Sequence, residues 1–505
     1  MDTATAQRPM PGLEGPRRML TRLRGVPADT AALWCLAGLT VLALVGFFAR
    51  VTYPNYDSYY ALIWGQEILR GDLPSFEAYR APTEHPLWVV LGALMSLFGE
   101  HGDRVLVLFT VMSFLALIAG AYRLGRLCYT PAVGFVAAFL ILTRLDFGSL
   151  AARGYIDIPF MATVTWAGAL EAAKPKRGTP VFLLLVAAGL MRPEAWLLAG
   201  VYFLWMSWHA TWPERFKYAA LAAAAPLGWV ATDYVVTGKL LFSLTSTQDL
   251  ATELQRTRSG GDVITALPQL LRGIVKTPVF FAGLAGLVVA LYRFPTRSVI
   301  PLALFLSGVL TFLGTGLAGL SVIPRYLLVP SVMWSLFAAV LVAGFTMIRR
   351  GERLHGYWAW GATAIVLVGL AYTAVYPPLP TRLNNELVFR GSSHESLRRI
   401  LDQPAVEDGL RCGPLSVPTH KLIPDVRWVL DLPESEVLAR SDDSSSVQRR
   451  VRYGVALFPV GRTNVLRTGF AVSTDAIAQV PARGFTKVAD DRYFAAYVRC
   501  PPGHA

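Results

Sequence analysis

Eleven apolar runs, divided by short polar loops, fill most of the first 375 positions of this 505-residue chain. They fall near 31–49, 104–122, 131–143, 157–172, 179–191, 195–208, 217–237, 278–292, 298–320, 326–347 and 357–375. A backbone in hydrocarbon must satisfy its own hydrogen bonds, so such runs are expected to fold as helices, with about 20 residues crossing the core. Charged residues make up 16% of the chain and hydrophobic ones 54%, against about 25% charged in an average soluble chain. The pattern predicts a mainly α, polytopic membrane protein with about 11 spans.

The formal charge of +13 does not indicate nucleic acid as a partner, because the basic residues lie in short clusters between the apolar runs and form no continuous patch. Arg17, Arg18, Arg22 and Arg24 sit in a basic segment, 1–30, ahead of the first run. Such a flank stays in the cytoplasm, and the first run reads as a retained anchor helix. Alternate loops then carry Arg123 and Arg126; Lys174, Lys176 and Arg177; Arg215 and Lys217; Arg293 and Arg297; and Arg349, Arg350 and Arg353. All fall on the cytoplasmic side of an eleven-span topology in the plasma (inner) membrane, which leaves 376–505 outside the cytoplasm.

Three outer segments are expected between and after these spans. The first loop, 50–104, is acidic; within it Tyr60, Trp64 and Ile68 recur at helical spacing, which predicts an interfacial helix. The run 86–98 is too short to span and predicts a second interfacial or re-entrant helix. A second long loop covers 238–276. Beyond a linker marked by Pro377, Pro378 and Pro380, strand-like runs at 426–430, 451–460, 464–472 and 493–498 predict a small α/β domain over 376–505. Cys412 and Cys500 both fall there, where a disulfide could persist. Residues 31–375 make the membrane domain.

Several motifs gather chemistry on the outer side. Asp57 lies among Tyr53, Tyr56, Tyr59 and Tyr60 directly after the first span; an interfacial aromatic belt around a solvated acid reads the same way. Glu84-His85-Pro86 precedes the short helix, where helix capping is the plainer reading. Arg153 and Asp157 flank a third outer loop, and Asp157 could simply cap its helix. Arg192 and Glu194 separate runs of about 13 and 14 residues, each only ~20 Å long as helix, so both should lie below the membrane surface. Charged groups at that depth are functional candidates by default, although a structural Arg–Glu pair accounts for them too. Arg325, beside Tyr326, marks the outer end of a late span, where a snorkelling anchor is the simpler account. Together these are three acids and three arginines at one membrane face: acids suited to deprotonating a hydroxyl, guanidinium forks suited to a phosphate.

At these residues the chain resembles the GT-C superfamily of membrane glycosyltransferases, in its protein O-mannosyltransferase and lipid A aminoarabinose transferase group. Asp57 after span one, Tyr59-Tyr60 and Gly71-Asp72-Leu73-Pro74 carry the likeness. Glu84-His85-Pro86-Leu87 is similar to the group's His-Pro-Pro-Leu element, Asp157-Ile158-Pro159 to its Asp-x-Pro element, and Arg325-Tyr326-Leu327 to its Arg-Tyr element. The likeness runs over residues 30–345. The single proline after His85, and Arg192-Pro193-Glu194 in place of a lone basic residue, depart from the pattern.

The resemblance implies inverting transfer of a single sugar, a hexose or pentose, from a polyprenyl-phosphate donor to a glycan, lipid or protein of the cell envelope. Asp57 would be the general base, supported by Asp157 and Glu84; Arg192, Arg325 and Arg153 would hold the donor phosphate. Tyr56, Tyr60, His85, Glu194 and Tyr326 would contact substrate. If a divalent cation (Mg or Mn) is used, Asp57, Glu84 and Asp157 would be its ligands; no other cofactor is implied. A flippase or transporter, a lipid-linked oligosaccharide polymerase or ligase, and a non-enzymatic scaffold remain alternatives. The missing internal repeat weighs against transport, and a scaffold leaves Arg192 and Glu194 unexplained.

Overall fold

In a computed structural model of the protein, residues 27–375, 379–468 and 483–502 are described. The basic segment 1–26, two of the linker prolines, and part of the strand-like run at 464–472 lie outside them. The chain divides into two compact units between Gly46 and Phe47. Helix α1, Ala28–Ala49, holds most of the described part of the first unit and is long and apolar enough to cross a membrane.

Within the second unit, α2 (Tyr56–Arg70) and α3 (Pro86–Ser96) occupy the first loop. The membrane helices follow: α4 (Gly102–Cys128), α5 (Pro131–Leu142), α6 (Leu145–Ala152), α7 (Asp157–Ala173), α8 (Thr179–Met191), α9 (Glu194–Ser207) and α10 (Trp212–Thr237). Next come α11 (Phe242–Glu253), α12 (Gly260–Val275), α13 (Thr277–Arg293), α14 (Pro295–Leu317), α15 (Leu328–Ala343) and α16 (Arg353–Ala374).

All eleven apolar runs are helical, yet fewer than eleven helices cross a bilayer by length. Six described helices are long and apolar enough, or up to eight if two bent pairs each count as one span. The pairs are α5 with α6, bent by 63°, and α12 with α13, bent by 113°. Helices α7, α8 and α9, of 17, 13 and 14 residues, fall short of the ~20 needed. The chain is therefore a multi-pass membrane protein with several short or broken helices inside its helical body.

The first-loop helices form as expected, but in a different setting. Tyr60 and Trp64 face protein, in a cluster with Phe76, Val89 and Phe242. Helices α2 and α3 cross closely, because Gly65 meets the backbone of Ala93 and Gly92 meets that of Ala61. A side chain at either glycine would force the two backbones apart.

After the membrane helices, α17 (Leu379–Leu401) and α18 (Pro404–Leu410) lead into a five-stranded sheet. Its strands are β1 (Leu415–Val417), β2 (Val437–Ala439), β3 (Gly454–Pro459), β4 (Thr486–Asp490) and β5 (Phe494–Arg499), in the order β2-β1-β3-β5-β4. The β1–β2 and β1–β3 pairs are parallel, and the β3–β5 and β4–β5 pairs antiparallel. Helices α19 (Ile423–Leu430), α20 (Ser445–Arg450) and α21 (Arg462–Thr468) complete the module. The run at 426–430 and the described part of the run at 464–472 are therefore helix and not strand: in the first, Pro424 and Asp425 favour a helix start, and Val426, Val429 and Leu430 face the sheet core. Cys412 and Cys500 are joined by a disulfide.

The module docks on the first loop. Arg427 Nη2 pairs with Glu67 Oε1 at 2.7 Å, and Arg70 with Asp431 at 2.6 Å. Trp428 packs near the Tyr59 ring at 6.2 Å, and Tyr53 stacks on His394 of α17 at 4.4 Å.

Candidate functional site

Three of the acids occupy the same local position, the first turn of a helix. Asp57 follows the N-terminal Tyr56 of α2, whose cap Asn55 accepts a hydrogen bond from the Asp57 amide at 2.9 Å. Asp157 opens α7 two residues before Pro159, and Glu194 opens α9 after Pro193. A helix N-terminus carries partial positive charge and unpaired N–H groups, so a carboxylate is stabilised there. The cations lie where helices break. Arg192 is the extended residue between α8 and α9, and Arg325 sits in the single turn Pro324–Leu327 before α15.

These breaks converge. Arg325 bridges two acids: Nη1 to Asp57 Oδ2 at 2.7 Å, and Nη2 to Asp157 Oδ2 at 2.9 Å. Arg192 pairs with Asp157 through Nη1, and its Nε donates to Glu194 Oε1 at 2.8 Å. Asp157 is 0% and Arg192 4% exposed. Aromatic faces enclose the guanidinium groups, Tyr155 below Arg325 at 5.0 Å and Tyr326 below Arg192 at 5.5 Å. Two cations and three carboxylates thus form one continuous network among residues up to 268 positions apart.

The network borders a cavity of about 700 Å³. Asp57, Arg153, Arg192, Glu194, Arg325, Tyr56, His85 and Tyr326 all line it. Tyr56 donates to the Arg80 carbonyl at 2.6 Å. Burial, and then the Arg192 guanidinium, push the His85 imidazole down to about 3, so it stays neutral.

Three expected site residues do not reach the cavity lining: Asp157, wholly buried between its two arginine partners, Tyr60 and Glu84. Tyr60 is wholly buried in the apolar cluster behind α2. Glu84 is 1% exposed and faces Asp233 and Ser243 instead of the Asp57–Asp157 network. Burial raises its carboxyl to about 7, against the pull of its own backbone and the Ser243 hydroxyl. Asp57, Glu84 and Asp157 therefore do not gather as a cation site: Arg325 stands between the two aspartates, and Glu84 lies apart. Among the described residues no group of three His, Cys, Asp or Glu side chains could hold a metal ion.

The cavity also uses residues that local sequence patterns did not single out. Arg390, His394, Leu397, Lys421 and Asp425 come from the C-terminal module, and Trp196, Trp229 and Asp233 from membrane helices. His420, next to Lys421, meets the edge of the Tyr56 ring at 5.3 Å. Arg390, His394 and Leu397 lie on α17 and Asp425 on α19, and what places them is the docking of these helices on the first loop. Among the described residues the lining holds eight arginines and lysines against four acids, so the cavity favours an anionic ligand.

The sequence matches no family model and no curated protein. Its fold does match solved structures. ArnT from Cupriavidus metallidurans in the apo state aligns with a TM-score of 0.56 at 15% identity, covering 92% of this chain and 98% of that one. ArnT from the same organism bound to undecaprenyl phosphate aligns at 0.53 and 14%, covering 94% and 99%. The Archaeoglobus fulgidus oligosaccharyltransferase in the apo form aligns at 0.50 and 15%, covering 84% of this chain and 69% of that one. At such identities the likeness is one of fold alone: the chain shares the architecture of ArnT and of the oligosaccharyltransferase.

Proposed function

We propose that the chain is an inverting glycosyltransferase that moves one sugar from a polyprenyl-phosphate donor to a hydroxyl of a glycan, lipid or protein outside the cytoplasm. The observation that carries this reading is the Asp57–Arg325–Asp157–Arg192 network on the wall of a cation-rich cavity. The fold shared with an ArnT bound to undecaprenyl phosphate supports the donor class.

In this mechanism Asp57 takes the proton of the acceptor hydroxyl, whose oxygen attacks the anomeric carbon. The bond from that carbon to the lipid phosphate oxygen breaks, and polyprenyl phosphate leaves with the electron pair. Arg325 connects the two halves of the step. While paired with Asp57 it dampens that carboxylate as a base; a donor phosphate that recruits the Nη1 donor frees the carboxylate beside the acceptor. Arg192 and Arg325 donate hydrogen bonds to the departing phosphate, and Arg153 adds a third cation to the lining. Asp157 and Glu194 hold the two arginines in place, so their charge needs no reorganisation at the moment of reaction. His85, Tyr56 and Tyr326 offer neutral polar and aromatic contacts to the sugar, whereas Glu84 and Tyr60 support the wall from behind. No step is routed through a metal.

Transfer from a pool of polyprenyl-phosphate sugars to envelope acceptors, with wild type and Asp57→Asn compared, tests the reading. Loss of a general base lowers turnover by roughly 10²–10⁴-fold, and donor binding should survive. Wild-type turnover by Asp57→Asn overturns the assigned base. A wild type that moves lipid between leaflets without forming a product is a transporter instead.

A further inference from the structure

The cavity's cations are unevenly compensated. Arg192 and Arg325 answer to three carboxylates, so the central network carries no surplus of positive charge. The surplus lies elsewhere in the lining. Arg153, between α6 and α7, and Arg390, on α17, both border the cavity, and among the described residues neither has an ion-pair partner. Their Nε atoms are buried without a hydrogen-bond partner, and Arg390 is only 7% exposed.

The segment 53–55 holds the two together. The Arg153 carbonyl accepts from the Asn55 amide at 2.7 Å and from its Nδ2 at 3.0 Å. Arg390 Nη2 donates to the Tyr53 carbonyl at 3.0 Å and the Pro54 carbonyl at 3.3 Å, and its guanidinium lies 4.1 Å from the Tyr53 ring centroid. Each arginine stands in the other's field. The acid that faces Arg390, Asp425, is raised to about 7 by burial and is only partly ionised at neutral pH. Glu386 stands in the field of Arg153 but is paired with Arg467. Arginine cannot shed its proton, so Arg153 and Arg390, with no ion pair of their own among the described residues, repel each other until an anion joins them.

We infer that Arg390 and Arg153 form a phosphate-binding site in the cavity, apart from the Arg192–Arg325 centre and shared between the C-terminal module and the membrane helices. The anion site rests on this geometry, and its phosphate class rests on the glycosyltransferase reading. Guanidinium forks match phosphate oxygens in pairs. The phosphate belongs either to the lipid donor or to an acceptor that carries one near the hydroxyl to be glycosylated. A C-terminal module that contributes a ligating arginine makes closure of the site depend on its docking.

The test measures binding of undecaprenyl phosphate and of inorganic phosphate to the full chain in nanodiscs. Wild type is compared with Arg390→Gln, which keeps an N–H donor for the Tyr53 and Pro54 carbonyls but loses the charge, and with Arg390→Lys, which keeps the charge. Expected is at least a tenfold loss with Gln, largely restored with Lys, at an unchanged ligand-free melting temperature. Loss for undecaprenyl phosphate assigns the site to the donor; loss for inorganic phosphate alone assigns it to a phosphorylated acceptor. Equal binding by Gln and wild type for both ligands overturns the site, as does a wild type that binds neither. Equal losses for Gln and Lys with a lowered melting temperature reduce Arg390 to packing and overturn it too. If wild type binds inorganic phosphate through Arg390 but no undecaprenyl phosphate, the anion site stands and the donor reading falls.

Discussion

Asp57 and Asp157 are both carboxylates at helix starts, yet burial and partners give them different work. Asp157 is enclosed and shared by two guanidinium groups, which suits a fixed counter-charge. Asp57 has one such partner and opens on the cavity, which suits an exchangeable proton acceptor. Glu84 is a third case, an acid buried away from both. Its folded-state value of about 7 lies above the ordinary 4.5. Between those values the unfolded chain has released the proton and the folded one keeps it, so stability falls as pH rises through that window. The penalty is complete above pH 7, at about 3 kcal/mol. Glu84→Gln should therefore raise the melting temperature at pH 8 and leave it nearly unchanged at pH 4. A variant that gains nothing at pH 8 contradicts a desolvated Glu84.

At the scale of elements, breaks do the positioning. Arg192 reaches the network because α8 and α9 stop short on either side of it, a feature legible in the spacing of two short apolar runs. Asp57, Asp157 and Arg325 were legible one by one as residues at a helix start or break, whereas their convergence with Arg192, and the separation of Glu84 from them, come from tertiary packing. Other features were not legible either. The run at 426–430 has strand-like composition but meets the sheet core as helix α19. The arginine of α17 enters the cavity through contacts with residues more than 330 positions earlier, which no local pattern encodes. That docking depends on the Arg427–Glu67 pair, in which the Arg427 side chain is almost fully buried. Removing one partner leaves an uncompensated charge at a cost on the order of 3 kcal/mol. Arg427→Ala should speed amide hydrogen exchange in both α19 and α2. Unchanged exchange in α2 would mean that the module docks through other contacts.

For the whole molecule, the C-terminal module is both a folded unit and part of the cavity lining. The Cys412–Cys500 disulfide closes a separation of 88 residues around its sheet. Loss of a bridge over a loop of that size costs about 2–5 kcal/mol, so Cys412→Ser with Cys500→Ser should lower the module's unfolding midpoint in denaturant. An identical midpoint with and without reductant would contradict that contribution. Charge ties the module to the membrane helices in function: the cavity is rich in cations, the central network is compensated, and the uncompensated pair includes an arginine of the module. In the proposed reaction a phosphate-bearing lipid entering the cavity would meet both. The most direct test is a cryo-EM map of the purified protein incubated with a mixed pool of polyprenyl-phosphate sugars. The account predicts lipid phosphate density among the cavity arginines, a sugar facing Asp57, and Arg325 drawn from Asp57 toward the phosphate. A cavity empty of lipid, with Arg325 still bridging Asp57 and Asp157 at saturating donor, would contradict it.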